Sequence, residues 1–319
     1  MTDLQADVLT ADQIGIKQAA KILGEGGLVA FPTETVYGLG ADACNDIAVA
    51  RVYTAKGRPS FNPLIVHVAD LDHAKLYAKF NDTALKLASA FWPGPLTLVL
   101  PCAPDSPLSE LVTAGLNSVA IRIPAHPVAQ ALLQEFDGPL AAPSANPSGR
   151  ISPTQAVHVI TDMRDKIEAI IDGGACVVGL ESTILKIEGH HVSILRAGGL
   201  SGEQIEQALG KPIARPSDPK TPQSPGQLQS HYAPNSPVRL NVKTLQDTEI
   251  LLGFGPECKE ATLNLSPTGD LTEAAANLFS YLRKMDAISE GTIAISPIPM
   301  SGLGVAINDR LKRAAAPRN

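Results

Sequence analysis

The stretch LVAFPTETVYGLGADA (28–43) decides the fold class. Its first four residues form an apolar run of the length of one short buried strand. Thr33, Glu34, Thr35 and Tyr37 follow directly. They stand at the carboxyl end of that strand, the side on which open α/β sheets bind ligands. From spacing alone, such a loop serves structure or function equally well.

Working outward, strand-like and helix-like segments alternate through the first 210 or so residues. ADQIGIKQAAKILGEGG (11–27) reads as a helix ended by Gly26 and Gly27, and Asn45 can cap a helix through DIAVARVYTAK (46–56). PLIVHV (63–68), LTLVL (96–100) and SVAIRIP (118–124) read as apolar strands. DTALKLASAFW (82–92) reads as a helix stopped by Pro93-Gly94-Pro95, and HPVAQALLQEF (126–136) as another. AIIDGG, STILKI and HVSILRAGG read as strands or strand ends, with His190 and His191 in a solvated turn. Ser201 caps a helix, GEQIEQALG. The order predicts an open α/β sheet covered by helices.

Composition agrees. The chain has 319 residues, enough for two domains at roughly 100–200 residues each. With 44% hydrophobic, 18% charged and only 4% aromatic residues, the core must be built from Ala, Val, Leu and Ile, which favours helices on sheets. The net charge of -6 argues against a broad nucleic-acid surface and leaves a weak RNA contact through a local basic patch open. Four scattered cysteines without a C-x-x-C pair read as reduced, mostly buried thiols. The N-terminus has no leader-like pattern, and no stretch approaches the ~20 apolar residues of a membrane helix. A cytoplasmic protein, with no membrane partner, is expected.

Composition shifts at 211–237, where seven of 27 residues are proline, a density that enforces an extended path. A first domain over 1–210, this linker, and a small α/β domain over 238–319 are therefore expected. VRLNV, EILLGF, a helix near 271–285, TIAIS and a terminal helix, LGVAINDRLKRAAA, would build the last.

The familiar catalytic signatures are missing: no Walker phosphate loop, no G-x-S-x-G, no H-E-x-x-H, and no metal-ligand spacing among the seven histidines. Polar residues at strand ends remain. Lys56 and Arg58 repel each other unless solvated or sharing an anion, so they are a surface pair or a phosphate clamp. His67 interrupts an apolar strand, as a core residue or a ligand. Arg122 and Arg196 sit inside apolar strands and, if buried, must meet an anion, internal or substrate-borne. PSANPSGRISPT (143–154) could bring amides and hydroxyls to a nucleotide, or be a cluster of turns.

Taken together, FPTETVYGLGADA, KGRP with Lys56 and Arg58, NPLIVHV, WPGPLTLVL, VAIRIP, PSANPSG with Ser144 and Asn146, ESTIL and ILRAGG resemble the YrdC-like family over residues 10–210. SPGQLQSHYAP and GLGVAINDRLKRAA resemble its longer, two-domain form. The resemblance implies an open, twisted YrdC-like α/β domain with a positively charged cavity, then a small Rossmann-like α/β domain. It implies formation of threonylcarbamoyl-AMP and pyrophosphate from L-threonine, bicarbonate and ATP, with Mg²⁺ accompanying the ATP and no resident metal. The product would pass to a downstream threonylcarbamoyl-transferase machinery acting on tRNA. Thr35, His67, Arg122, Ala142 and Ser182 are the implied threonine site. Arg58, Asn62, Ser118, Ser144, Asn146, Ser152, Arg196 and Tyr232 are the implied ATP site, and Lys56 with Arg58 would neutralise the leaving pyrophosphate. Residues 224–235 would form a lid stiffened by Pro225, Pro234 and Pro237, working across a modest, mobile domain interface. Two rival readings are an RNA-binding or regulatory module and a carbamoyl-adenylate-forming enzyme. Net charge weighs against the first, and the lack of a Cys-rich segment against the second.

Overall fold

The computed structural model of the chain describes residues 5–214 and 231–317. In chain order the elements are β1 (Asp7–Thr10), α1 (Gln13–Gly24), β2 (Val29–Phe31), β3 (Gly38–Asp42), α2 (Asp46–Lys56), β4 (Ile65–His67), α3 (Leu71–Tyr77) and α4 (Asp82–Phe91). Next come β5 (Leu96–Pro101), α5 (Glu110–Thr113), β6 (Ser118–Arg122), α6 (Pro127–Phe136), β7 (Leu140–Ala141), α7 (Ala156–Met163), β8 (Ala169–Asp172), β9 (Thr183–Glu188), β10 (His191–Arg196) and α8 (Gly202–Leu209). The C-terminal lobe holds β11 (Val238–Arg239), β12 (Ile250–Gly253), β13 (Leu263–Asn264), α9 (Leu271–Ile288), β14 (Ile293–Ile295) and α10 (Gly304–Ala314).

The N-terminal lobe is one mixed, ten-stranded sheet in the order β1-β8-β2-β3-β7-β4-β6-β5-β9-β10. The C-terminal lobe is a four-stranded sheet, β11-β14-β12-β13, in which each neighbouring pair is parallel, as in Rossmann-like folds. No helix among the described residues is long and apolar enough to cross a membrane.

Local chemistry explains the elements that position the site. Asn45 caps α2 by accepting from the amides of Ile47 and Ala48. Gly57 ends it in the left-handed conformation, φ 58°. Lys56 and Arg58 therefore lie on opposite sides of a sharp bend. β3 was expected as loop, because GLGAD carries two glycines and little β propensity. It forms a strand because Phe31 of β2 crosses close by: a Cβ on Gly40 would stand 2.9 Å from the Phe31 ring. The expected turn is confined to Gly189 and His190, and His191 opens β10 opposite Glu188.

The two lobes share a core. Val36, Ile151 and Leu180 from the first pack with Tyr232 and with Leu278, Phe279 and Ile307 of the second. Gly179, at φ 72°, lies so close to α9 that a Cβ there would stand 2.4 Å from the Ala275 carbonyl oxygen. Arg283 of α9 pairs with Asp162 at 2.6 Å. The expectation of a modest, mobile interface is corrected: the contact is a buried, apolar one pinned by ion pairs.

Candidate active site

A single cavity gathers the carboxyl end of β2, the ends of β4, β6 and β10, and residues 142–144 and 181–182. Thr35, Arg58, His67, Arg122 and Ala142 line it, as do Ser144, Ser182, Arg196 and Tyr232. Residues from opposite ends of the N-terminal lobe thus meet where sequence reading placed a binding site.

Arg122 and His67 are register partners on adjacent strands, so both side chains leave the same face of the sheet. The Arg122 guanidinium donates to the Gly94 carbonyl at 3.2 Å, the Thr35 hydroxyl at 3.0 Å and Glu34 Oε1 at 2.7 Å. Three of its five N–H groups are thereby fixed, and one on each terminal nitrogen remains. Glu34 is in turn held by the Ala125 amide at 3.1 Å. Of the two partners that the sequence left open, an internal carboxylate holds Arg122, and two donors stay available. Thr33 braces the neighbouring turn, sharing a 2.7 Å hydrogen bond with Thr35 and donating to the Val36 carbonyl.

His67 Nδ1 lies 3.3 Å from the Ile65 carbonyl, which can only accept, so Nδ1 carries the proton and Nε2 is an acceptor. Burial and the Arg122 charge push its pKa down to about 3. His67 is thus neutral at physiological pH.

Arg58 is a buried cation. It is 8% exposed, and its guanidinium donates to the carbonyls of Asn62 (3.1 Å) and Pro63 (2.8 Å), with the Tyr53 hydroxyl also beside it. No carboxylate pairs with it among the described residues, and burial pushes its pKa down to about 10. A buried charge without a counter-ion costs several kcal/mol, so the site is built for an incoming anion. Beside it, outside the cavity lining, the Asn62 side chain is buried with neither its oxygen nor its nitrogen bonded. Arg196 donates to the Ser182 carbonyl at 2.9 and 3.2 Å, and Ser182 shares a 2.7 Å hydrogen bond with Thr97.

Lys56 does not line the cavity. Its ammonium donates to the carbonyls of Ser144 and Asn146, and thereby holds the loop that carries Ser144. Burial, then Arg58, depresses its pKa strongly. The single clamp expected of Lys56 and Arg58 is corrected: the Gly57 bend sends them to different places. Asn146 also stays within the loop, donating to the Pro147 and Arg150 carbonyls. Ser152 donates to Glu181 at 2.6 Å, behind the cavity wall. Ser118 lies outside the lining, on the same face of β6 as Arg122 and about 13 Å along it at ~3.3 Å per residue.

Tyr232 is buried among elements of the C-terminal lobe, stacked on Phe279 at 5.5 Å with Arg310 over its ring. Its φ of 61° is unusual for a bulky residue and costs about 1–3 kcal/mol, which the surrounding contacts must offset. His231 packs against it at 4.1 Å and also lines the cavity. With both in place the cavity keeps only about 40 Å³, room for a few waters at ~10–15 Å³ each. Residues 224–230 of the expected lid lie outside the described residues; its 231–235 portion enters the cavity.

Three contributors were not singled out from sequence: Glu181, His231 and Arg310. Glu181 lines the cavity and accepts from Arg310 of α10 at 2.8 Å. Burial opposes its ionisation, but Arg310, Arg196 and Ser152 outweigh that and hold its carboxyl below the usual range. Each of the three lies inside a quoted motif, but no spacing rule links residues 129 positions apart.

The buried histidines give a pH prediction. Burial holds His231, like His67, down at about 3, against an ordinary value of 6.5. The unfolded chain takes up protons below pH 6.5 and the folded chain does not, so stability falls as pH falls from 6.5 toward 3. Each contributes a slope of about 1.4 kcal/mol per pH unit. Urea midpoints should drop between pH 7 and pH 5; equal midpoints would mean that these rings are hydrated in the native state.

Comparison with known proteins agrees with this geometry. The family model Sua5_yciO_yrdC, described as "Telomere recombination", matches residues 21–198, and the model for the "Threonylcarbamoyl-AMP synthase, C-terminal domain" matches 200–316. The chain is 42% identical to the threonylcarbamoyl-AMP synthase of Bacillus subtilis, covering 98% of this chain and 96% of that protein. It is 41% identical to the synthase of Pyrococcus abyssi, covering 95% and 94%. The crystal structure of P. abyssi Sua5 complexed with L-threonine superposes with a TM-score of 0.88 at 38% identity, covering 97% of each chain.

Proposed function

The chain belongs to the Sua5–YciO–YrdC family, and from that premise we propose that its cavity makes threonylcarbamoyl-AMP from L-threonine, bicarbonate and ATP, the activated carbamate used for N6-threonylcarbamoyladenosine formation in tRNA. The observation that carries this reading is the pair of cationic anchors in one cavity. Arg122 keeps two directed donors for a carboxylate, and Arg58 meets no carboxylate among the described residues.

Arg122 holds the threonine carboxylate, with Thr35, Ala142 and Ser182 around it. Neutral His67 offers Nε2 as an acceptor to the amine or hydroxyl. The amine combines with bicarbonate, releasing water, to give a carbamate. A carbamate oxygen attacks the α-phosphorus of ATP, the bond to the β-phosphate breaks, and pyrophosphate leaves. Arg58 and Arg196 neutralise the phosphate charge, and Asn62 and Ser144 supply hydrogen bonds to the nucleotide. Lys56 and Asn146 act indirectly, by fixing the loop of Ser144, and Ser152 by fixing Glu181. His231 and Tyr232 close the cavity over the short-lived carbamate and exclude water. Mg²⁺ would travel with the triphosphate as part of the substrate. Glu181 is the one carboxylate lining the cavity, and Ser152 and Arg310 already engage it.

The test is incorporation of radiolabelled bicarbonate into an adenylate with ATP, with and without threonine. Incorporation independent of threonine would favour a carbamoyl-adenylate enzyme instead. Arg122→Lys should keep the charge and lose the fork, raising the threonine KM on the order of tenfold or more while the ATP KM changes little. Unchanged threonine affinity by calorimetry would leave Arg122 as the structural partner of Glu34 alone.

A further inference from the structure

Residues 231–236 pass between the lobes, and Asn235 is tied to both. Its Oδ1 accepts from Arg150 of the N-terminal lobe at 2.6 Å. Its Nδ2 donates to Asp286 of α9 at 3.1 Å. The backbone repeats the pattern. Ala233 N donates to the Gly149 carbonyl at 2.9 Å, while the amides of Asn235 and Ser236 donate to the two oxygens of Asp286, each at 2.8 Å. One carboxylate thus takes three N–H groups, a directional, charge-assisted arrangement.

We propose that Asn235, held between Arg150 and Asp286, is the positioning residue that seats His231 and Tyr232 in the cavity and so sets the affinity for ATP. The inference rests on reading the cavity as the nucleotide site. His231 and Tyr232 both line the cavity, so the segment that carries them sets how far it is open to a nucleotide. Holding that segment in one place needs a fixed pivot. Residues 233–236 are fixed to both lobes, and the left-handed residue Tyr232 stands just before them, where the chain turns into the cavity. The pivot also reports lobe spacing, because a single amide spans from Arg150 to Asp286. Asn235 is itself exposed, so replacing it removes no core packing.

Asn235→Ala removes the tie. Asn235→Asp sets a second carboxylate against Asp286. Both single variants should speed hydrogen exchange of the Ala233 amide and raise the ATP KM, each by about tenfold, with the threonine KM within about twofold of wild type. Unchanged Ala233 exchange or an equal rise in the two KM values would overturn the proposal. Wild-type protein that released no pyrophosphate with threonine, bicarbonate and ATP would overturn the proposed function instead, and Ala233 exchange would still decide the role of Asn235.

Discussion

Arg58→Ala should lower threonine-dependent pyrophosphate release on the order of 10³-fold, the scale set by arginines that neutralise a transferring phosphate. It should do so without loss of stability. Arg58 holds a charge away from water with no carboxylate partner among the described residues, so the native state carries that cost until an anion arrives. Removing the charge relieves it, and the urea midpoint should stay level or rise. A structural arginine would show the reverse: a lowered midpoint with activity retained in the folded fraction. Arg58→Lys separates charge from shape, and should restore only part of the rate because the fork is lost.

Glu181→Ala should have the largest effect on stability. Arg310 is fully buried, and Glu181 accepts its Nε at 2.8 Å. Removing one partner of a buried ion pair costs about 3–5 kcal/mol, because the other charge is stranded. Asp309 also pairs with Arg310 at 2.7 Å and will soften the loss without cancelling it. Adding Arg310→Met should recover much of the midpoint, since the stranded charge is then gone. Activity should not return with it, because Glu181 also anchors Ser152 at the cavity wall. Glu181→Ala with wild-type stability would show that water reaches Arg310.

The strands and helices with strong periodicity were legible in the sequence. The apolar runs at 96–100 and 118–124 became β5 and β6, and Asn45 and Ser201 marked helix starts by their own chemistry. β3 and β7 were not legible. One is glycine-rich, the other only two residues long, and both exist because neighbouring strands complete their hydrogen bonds. α3, α5 and α7 are short helices that the sequence reading passed over. In the site, nine of the sequence-derived residues meet in one cavity, because strand alternation sends Ile65, His67 and Arg122 to one face. The places of Lys56, Asn146 and Ser152 were not legible, since a carbonyl or carboxylate partner far along the chain leaves no trace in local spacing.

The glycine at position 57 has a further meaning for how this chain can vary. It is the one residue between two cations that must face apart, and its left-handed backbone disfavours every side chain. A mutation there would therefore disturb two things at once: the wall that Lys56 holds and the anion seat that Arg58 forms. Neither of those residues would change in identity. The letters K-G-R record a fork in the path of the main chain, and drift in the middle letter would silence both outer ones.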